Sequence, residues 1–131
     1  MEHTNWKDSE ELLKLGVPEE SADVVFYAKI ADQNGYVLEE EVWDPYIKKF
    51  GMPATKVFGW TPGALLELLP KRLKKDGHLY HFSLVPGTNS SIWEVSYQSP
   101  FDKILIIYEG ASLVEILVSL IKWYYNEKSK I

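Results

Sequence analysis

Helical spacing of apolar residues opens and closes this chain, and strand-like alternation occupies much of what lies between. Leu12, Leu13 and Leu15 form the apolar side of a short first helix. Asp8 is placed to cap it, Glu11 follows three residues later as a capping-box partner, and Gly16 suits the position just past its end. Pro18 opens a second short turn, with Glu19 and Glu20 near its positive end. Val24 to Ile30 is β-branched and aromatic, and Asn34-Gly35 separates it from Tyr36-Val37-Leu38, which is a hairpin signal. A helix from Ala22 through Ala28 competes with that hairpin, because Ala22, Phe26 and Ile30 share a helical face. Residues 44–59 read as a connection carrying one short helical turn, closed by Gly51 and Pro53. In Trp60 to Pro70, Thr61 is a good N-cap, Pro62 suits the first helical position and Pro70 discourages continuation, so a leucine-rich helix of about two turns is expected.

The period then becomes that of strands. Gly77 to Val85, Ser91 to Tyr97 and Lys103 to Tyr108 are separated by turn-rich links of hairpin length, which predicts an antiparallel meander. Tyr80, Phe82 and Leu84 share one face of the first strand, and Trp93, Val95 and Tyr97 share one face of the second. Ile104 to Ile107 is apolar on both faces, as expected of a central or doubly covered strand. Gly110 ends it, and Ser112 with Glu115 forms a capping box for a long last helix. On that helix Glu115, Ser119, Lys122 and Asn126 make one narrow polar stripe. Nearly everything else on it is apolar or aromatic, so it needs cover on most of its circumference, from this domain or from a partner. The expected fold is α+β in a single domain over residues 1–131. It has a three-stranded or larger antiparallel meander, with the long C-terminal helix and the short N-terminal helices packed on it.

Composition narrows the class. With 131 residues, 46% hydrophobic, 14% aromatic and 25% charged, the chain can bury a real core and is not of disordered type. Its lack of cysteine removes disulfides, thiolate zinc sites and a cysteine nucleophile, and fits a reducing cytoplasm. The N-terminus has no basic and then apolar run, so no signal peptide is expected. Leu113 to Tyr125 is too short to span a bilayer and contains Glu115 and Lys122, so a soluble protein with no membrane partner is expected. A net charge of −5 argues against duplex nucleic acid as a partner. Lys71, Arg72, Lys74 and Lys75 form the one basic cluster, read as a solvated helix exit.

Candidate chemistry is sparse. His78 and His81 are three apart, which on a strand puts them on opposite faces, and two ligands are too few for zinc, so no metal or cofactor is expected. Glu39, Glu40, Glu41 and Asp44 are the densest carboxylates but lack the spacing of a calcium loop. Ser90-Ser91 has no nucleophile elbow, and Gly59-Trp60-Thr61-Pro62-Gly63 lacks the lysine and hydroxyl of a phosphate loop. The excess is aromatic: five Trp, eight Tyr and five Phe. Trp and Tyr are enriched at interaction surfaces, because they bury much area and keep a polar handle. Trp43 with Asp44 beside the acidic run, and Trp123, Tyr124 and Tyr125 on the last helix, are the candidate interaction surface.

Two segments carry a resemblance. Leu12-Leu13-Lys14-Leu15-Gly16-Val17-Pro18-Glu19-Glu20-Ser21-Ala22-Asp23 and Trp60-Thr61-Pro62-Gly63-Ala64-Leu65-Leu66-Glu67-Leu68-Leu69-Pro70 resemble a family of small uncharacterised proteins common in gut Bacteroidetes genomes and mobile elements. The last helix, with Glu115, Trp123 and a closing Asn126-Glu127-Lys128, is similar as well, whereas residues 31–50 depart from the family's pattern. The resemblance implies a shared fold and brings no activity with it.

These readings converge on a non-enzymatic binding or adaptor protein that acts on a protein partner or on a second copy of itself. One alternative is a small-ligand-binding protein or enzyme with an aromatic-lined pocket around Trp43, Trp60 and Trp93 and a carboxylate such as Glu39 or Asp44. Another is a small acidic inhibitor or immunity-type protein of a mobile element.

Overall fold

The computed structural model describes residues 2–30, 37–39, 55–87, 89, 91–101 and 103–129. The chain divides into two compact units, Met1–Thr61 and Pro62–Ile131.

In the first unit, helix α1 spans Trp6–Lys14. Its N-cap is Asn5, whose side-chain oxygen accepts from the Asp8 amide at 2.7 Å, so the cap lies three residues before the expected Asp8. Asn is among the best caps, and the helix starts ahead of its leucine stripe; Asp8 takes the dipole-favoured first turn instead. The C-terminal end is as expected. Gly16 adopts φ +99°, the Val17 amide reaches back to the Leu12 carbonyl and the Gly16 amide to that of Leu13, both at 3.1 Å. Val17 and Leu12, the two residues joined by the outer bond of this Schellman motif, are both buried. A one-turn 3₁₀ helix, Glu19–Ser21, follows Pro18.

Strands β1 (Val24–Ile30), β2 (Val37–Glu39) and β3 (Thr55–Gly59) form an antiparallel sheet in the order β2-β1-β3. The hairpin reading of residues 24–38 therefore holds over the helical one. The Asn34-Gly35 turn itself lies outside the described residues, as does the expected helical turn before Pro53. Thr55–Gly59, expected as part of a connection, is a strand: its amides and carbonyls pair with β1 from Ala28↔Thr55 to Val24↔Gly59. Five residues ending in glycine were too short to show alternation, and pairing with β1 decides their state.

Trp60 anchors this unit. It is fully buried, its backbone is paired with Thr4 in both directions, and its indole N–H donates to the Ser21 hydroxyl at 2.9 Å. Thr4 and Ser9, both buried, satisfy each other's hydroxyls at 2.7 Å. Next to Trp60, the Thr61 amide and hydroxyl both donate to the Asp23 carboxylate.

The second unit opens with α2 (Pro62–Glu67), which ends short of Pro70 as expected. The sheet is the expected antiparallel meander with a fourth strand added at one edge, in the order β4 (Arg72–Lys75), β5 (His78–Pro86), β6 (Trp93–Gln98) and β7 (Ile104–Gly110). The basic cluster, expected at a helix exit, is thus largely an edge strand. A two-residue turn makes it so. Asp76 and Gly77 both take positive φ, 51° and 79°, between the paired Lys75 and His78. Asp-Gly is a preferred sequence for such a turn, whose twist matches that of the strands. Charged lysines on a short edge strand also discourage unwanted pairing.

Helix α3 (Leu113–Ser129) lies against α2, β6 and β7. The Ser112 hydroxyl caps it through the Glu115 amide at 3.2 Å. Val114, Ile116, Leu117, Val118, Leu120 and Ile121 are all buried, whereas Glu115 and Asn126 of the polar stripe are exposed. Tyr80, Val95 and Tyr97 are buried on the sheet face that carries the core, together with Leu65 and Leu69 around α2. Strand β7 departs from expectation: it is an edge, not a central strand. A register irregularity brings Ile104 opposite Gln98 while Ile106 stays opposite Tyr97. Ile104 and Ile107 therefore share the outer face, where they are 51% and 38% exposed. The apolar character of both β7 faces reflects that outer surface, not a second covering layer.

Two outcomes follow from this packing. Leu117→Ala is expected to cost about 2–5 kcal/mol in urea unfolding, the range for a well-buried leucine; a loss below about 0.5 kcal/mol would place the residue at the surface. For Asp23, burial opposes ionisation, yet the hydrogen bonds from Thr61 outweigh it and hold the carboxyl below the ordinary aspartate range. A depressed folded value gives stability that is present at neutral pH and is lost as the pH falls below about 4. Melting temperatures of Asp23→Asn should accordingly fall less steeply through that window than those of the parent chain.

A lysine-flanked aromatic cleft

The C-terminal half of α3 meets the β4–β5 hairpin in a cleft of about 410 Å³ lined by residues including Leu73, Lys75, Trp123, Tyr124, Glu127 and Lys128. The cleft is built from two periods. Trp123, Tyr124 and Glu127 fall at helical spacing on α3. Leu73 and Lys75 alternate on β4, on the side that the register Leu73↔Tyr80 assigns to the core face.

Tyr97 packs behind the Trp123 wall. Its ring is buried, lies 6.1 Å from Trp123 in a tilted arrangement and 5.8 Å from Phe82 edge to face. Its hydroxyl donates to the Pro70 carbonyl at 2.7 Å, which satisfies the one polar atom of the buried ring. Burial pushes this phenol far above the ordinary tyrosine range, and the nearby Tyr124 adds to the effect. Its hydrogen bond to the Pro70 carbonyl gives it a structural role.

The walls carry charge. The Lys75 ammonium donates to the Glu127 carboxylate and sits 5.9 Å from the Trp123 ring centre. The hydrogen bond to Glu127 raises the Lys75 ammonium above the ordinary lysine value. Lys128 lies 5.7 Å from the Tyr124 ring centre and 5.2 Å from that of Tyr125, at cation–π range for both. Tyr124 and Tyr125 meet edge to face at 5.7 Å. Burial, then Tyr124, raises the Tyr125 hydroxyl as well. Trp123, Tyr124 and Tyr125 are all partly exposed. The arrangement can hold a flat apolar group on the aromatic wall, with the cations Lys74 and Lys128 and the carboxylate Asp76 also lining the cleft.

Of the residues singled out from the sequence, the structure brings Trp123, Tyr124 and Tyr125 together. Trp43 and Asp44 lie outside the described residues, and of Glu39 only the backbone is described, paired in β2 with Lys29. Trp60 is a core anchor of the first unit, not a pocket wall. Trp93 is 41% exposed at the start of β6. His78 and His81 fall on opposite faces of β5, as their spacing requires, and the His78 ring edges onto Tyr80. Among the described residues no group of three or more histidines and carboxylates is placed to hold a metal, and no helix is long and apolar enough to cross a membrane. Sequence reasoning missed Leu73, Lys74 and Lys75 as cleft residues. The signal was present in Asp76-Gly77, whose turn folds these residues back onto β5.

No protein family, curated protein or solved structure matches the chain.

Tyr97→Phe should keep the ring stack but deprive the Pro70 carbonyl of its donor. The expected loss is about 1–3 kcal/mol in chemical denaturation. A cost near zero would show that water replaces the hydroxyl.

Proposed function

We propose that this protein is a non-enzymatic binding or adaptor protein that uses the cleft between α3 and the β4–β5 hairpin to hold a segment of a partner protein. One observation carries the reading. The aromatic end of α3 is left partly exposed in a concave site, with Trp123 and Tyr124 as the wall and Lys74 and Lys128 at the rim. Trp and Tyr anchors set among flanking charges are the usual make-up of an interaction centre. The matching partner is a peptide segment that offers an apolar or aromatic side chain to Trp123 and carboxylates to the lysines. A compact small-ligand site is the second reading, favoured by the cleft volume, which lies within the usual range for such pockets.

Peptide display against the parent chain and against Trp123→Ala/Lys128→Glu tests the proposal. The parent chain should enrich segments rich in Asp or Glu beside an aromatic residue, and the variant should lose at least about tenfold in affinity for them, roughly 1.4 kcal/mol. Enriched peptides that bind both proteins equally would remove the cleft from the function.

A further inference from the structure

We propose that the outer face of the β4–β7 sheet packs against the same face of a second copy of this chain, the basic corner of each face seated on the acidic corner of the other. The alternation that buries Tyr80, Val95 and Tyr97 turns their neighbours outward. By register, the outer face carries Lys74 beside Leu79, then Arg72, His81, Gln98 and Ile104, then Ser83, Ser96 and Ile107, and last Val85, Glu94 and Glu109. Four large apolar side chains stand exposed there: Leu79 at 44%, Val85 at 41%, Ile104 at 51% and Ile107 at 38%. Such exposure on one face marks an interaction surface more than scattered single residues would.

Charge selects the occupant. Arg72 and Lys74 lie at one corner, on β4, and Glu94 and Glu109 lie at the diagonal corner, on β6 and β7. Strand spacing and rise put the corners about 20 Å apart. A two-fold axis in the plane of the face, set across that diagonal, lays each basic corner over an acidic one. The same patch is then self-complementary, as an isologous dimer requires. The acidic corner is costly in a lone chain. Glu94 and Glu109 are direct cross-strand partners, an arrangement of like charges that is unfavourable in a sheet. The hydrogen bond with Glu109 holds the Glu94 carboxyl above the ordinary glutamate range, with some desolvation adding to it. Arginine and lysine from a second copy would supply cations that this corner lacks among the described residues. In the middle of the face the Gln98 amide donates to the buried Ser96 hydroxyl at 2.8 Å.

The face measures only about 20 Å by 20 Å, below the roughly 800 Å² per partner of a standard stable interface. The dimer is therefore expected to be weak, concentration-dependent and sensitive to salt. Sedimentation equilibrium over about 5–500 µM, a span bracketing micromolar association, should show the parent chain moving from monomer toward dimer at low salt and back toward monomer in about 0.5 M salt. Reversing one corner, Arg72→Glu/Lys74→Glu, should weaken association at least tenfold. Reversing both corners in one chain, by adding Glu94→Lys/Glu109→Lys, restores the match and should recover the dimer. Ile107→Lys tests the apolar part and should give a monomer; circular dichroism checks that each variant is folded. A parent chain that stays monomeric throughout overturns the proposal. So does a dimer indifferent to the reversals or to Ile107→Lys, and so does a failure of the folded double reversal to associate.

Discussion

The second unit depends on burying one phenol. Tyr97 sits at the middle of the sheet's core face with no exposed surface, and a buried hydroxyl must find a partner inside the protein. It finds the carbonyl of Pro70, which lies between the end of α2 and the start of β4. That single bond links the exit of α2 to β6. The same ring carries Phe82 on one side and Trp123 on the other, so it also fixes β5 and the C-terminal half of α3. Three elements far apart in sequence thus converge on one side chain. The position of Trp123, and with it the wall of the cleft, is a consequence of satisfying Tyr97.

Around that core the two sheet edges are handled differently. Strand β4 is four residues long and mostly cationic, which suits it to remain an edge. Strand β7 is seven residues long and mostly apolar, with an irregularity at its start and a glycine at its end. The irregularity turns Ile104 outward to join Ile107, so the apolar excess of β7 is spent on the outer face and not on the core. Beside it Glu94 and Glu109 face each other across β6 and β7, and Glu109 holds the Glu94 carboxyl above its ordinary range.

Much of the fold was legible in the sequence because its signals were local. The capping serine of α3, the glycine after α1, the proline at the start of α2 and the alternation of Tyr80, Phe82 and Leu84 each state a backbone preference within a few residues. What was not legible depended on partners distant in sequence. Thr55–Gly59 becomes a strand because β1 offers it a ladder. Ile104 to Ile107 looked central because composition reports apolarity but not the order of strands. Of the candidate site, the aromatic trio on α3 could be named from helical spacing. The residues facing it could not, because their position follows from strand register.

That register also resolves the basic cluster, which reads in sequence as one patch. Alternation on β4 divides it. Leu73 and Lys75 turn to the core face, where Lys75 meets Glu127 and the Trp123 ring. Arg72 and Lys74 turn to the outer face, with Lys74 reaching the rim of the cleft. The Asp76-Gly77 turn sets this division, since a two-residue loop with both φ positive admits one pairing, Lys75 with His78. A slip of one residue would exchange the two sets and expose Leu73 while burying Arg72 and Lys74. The burial of Tyr80 opposite Leu73 penalises that slip. One tight turn therefore assigns the cations of four consecutive residues to two different surfaces, the cleft and the outer face, which is how so small a domain can present both.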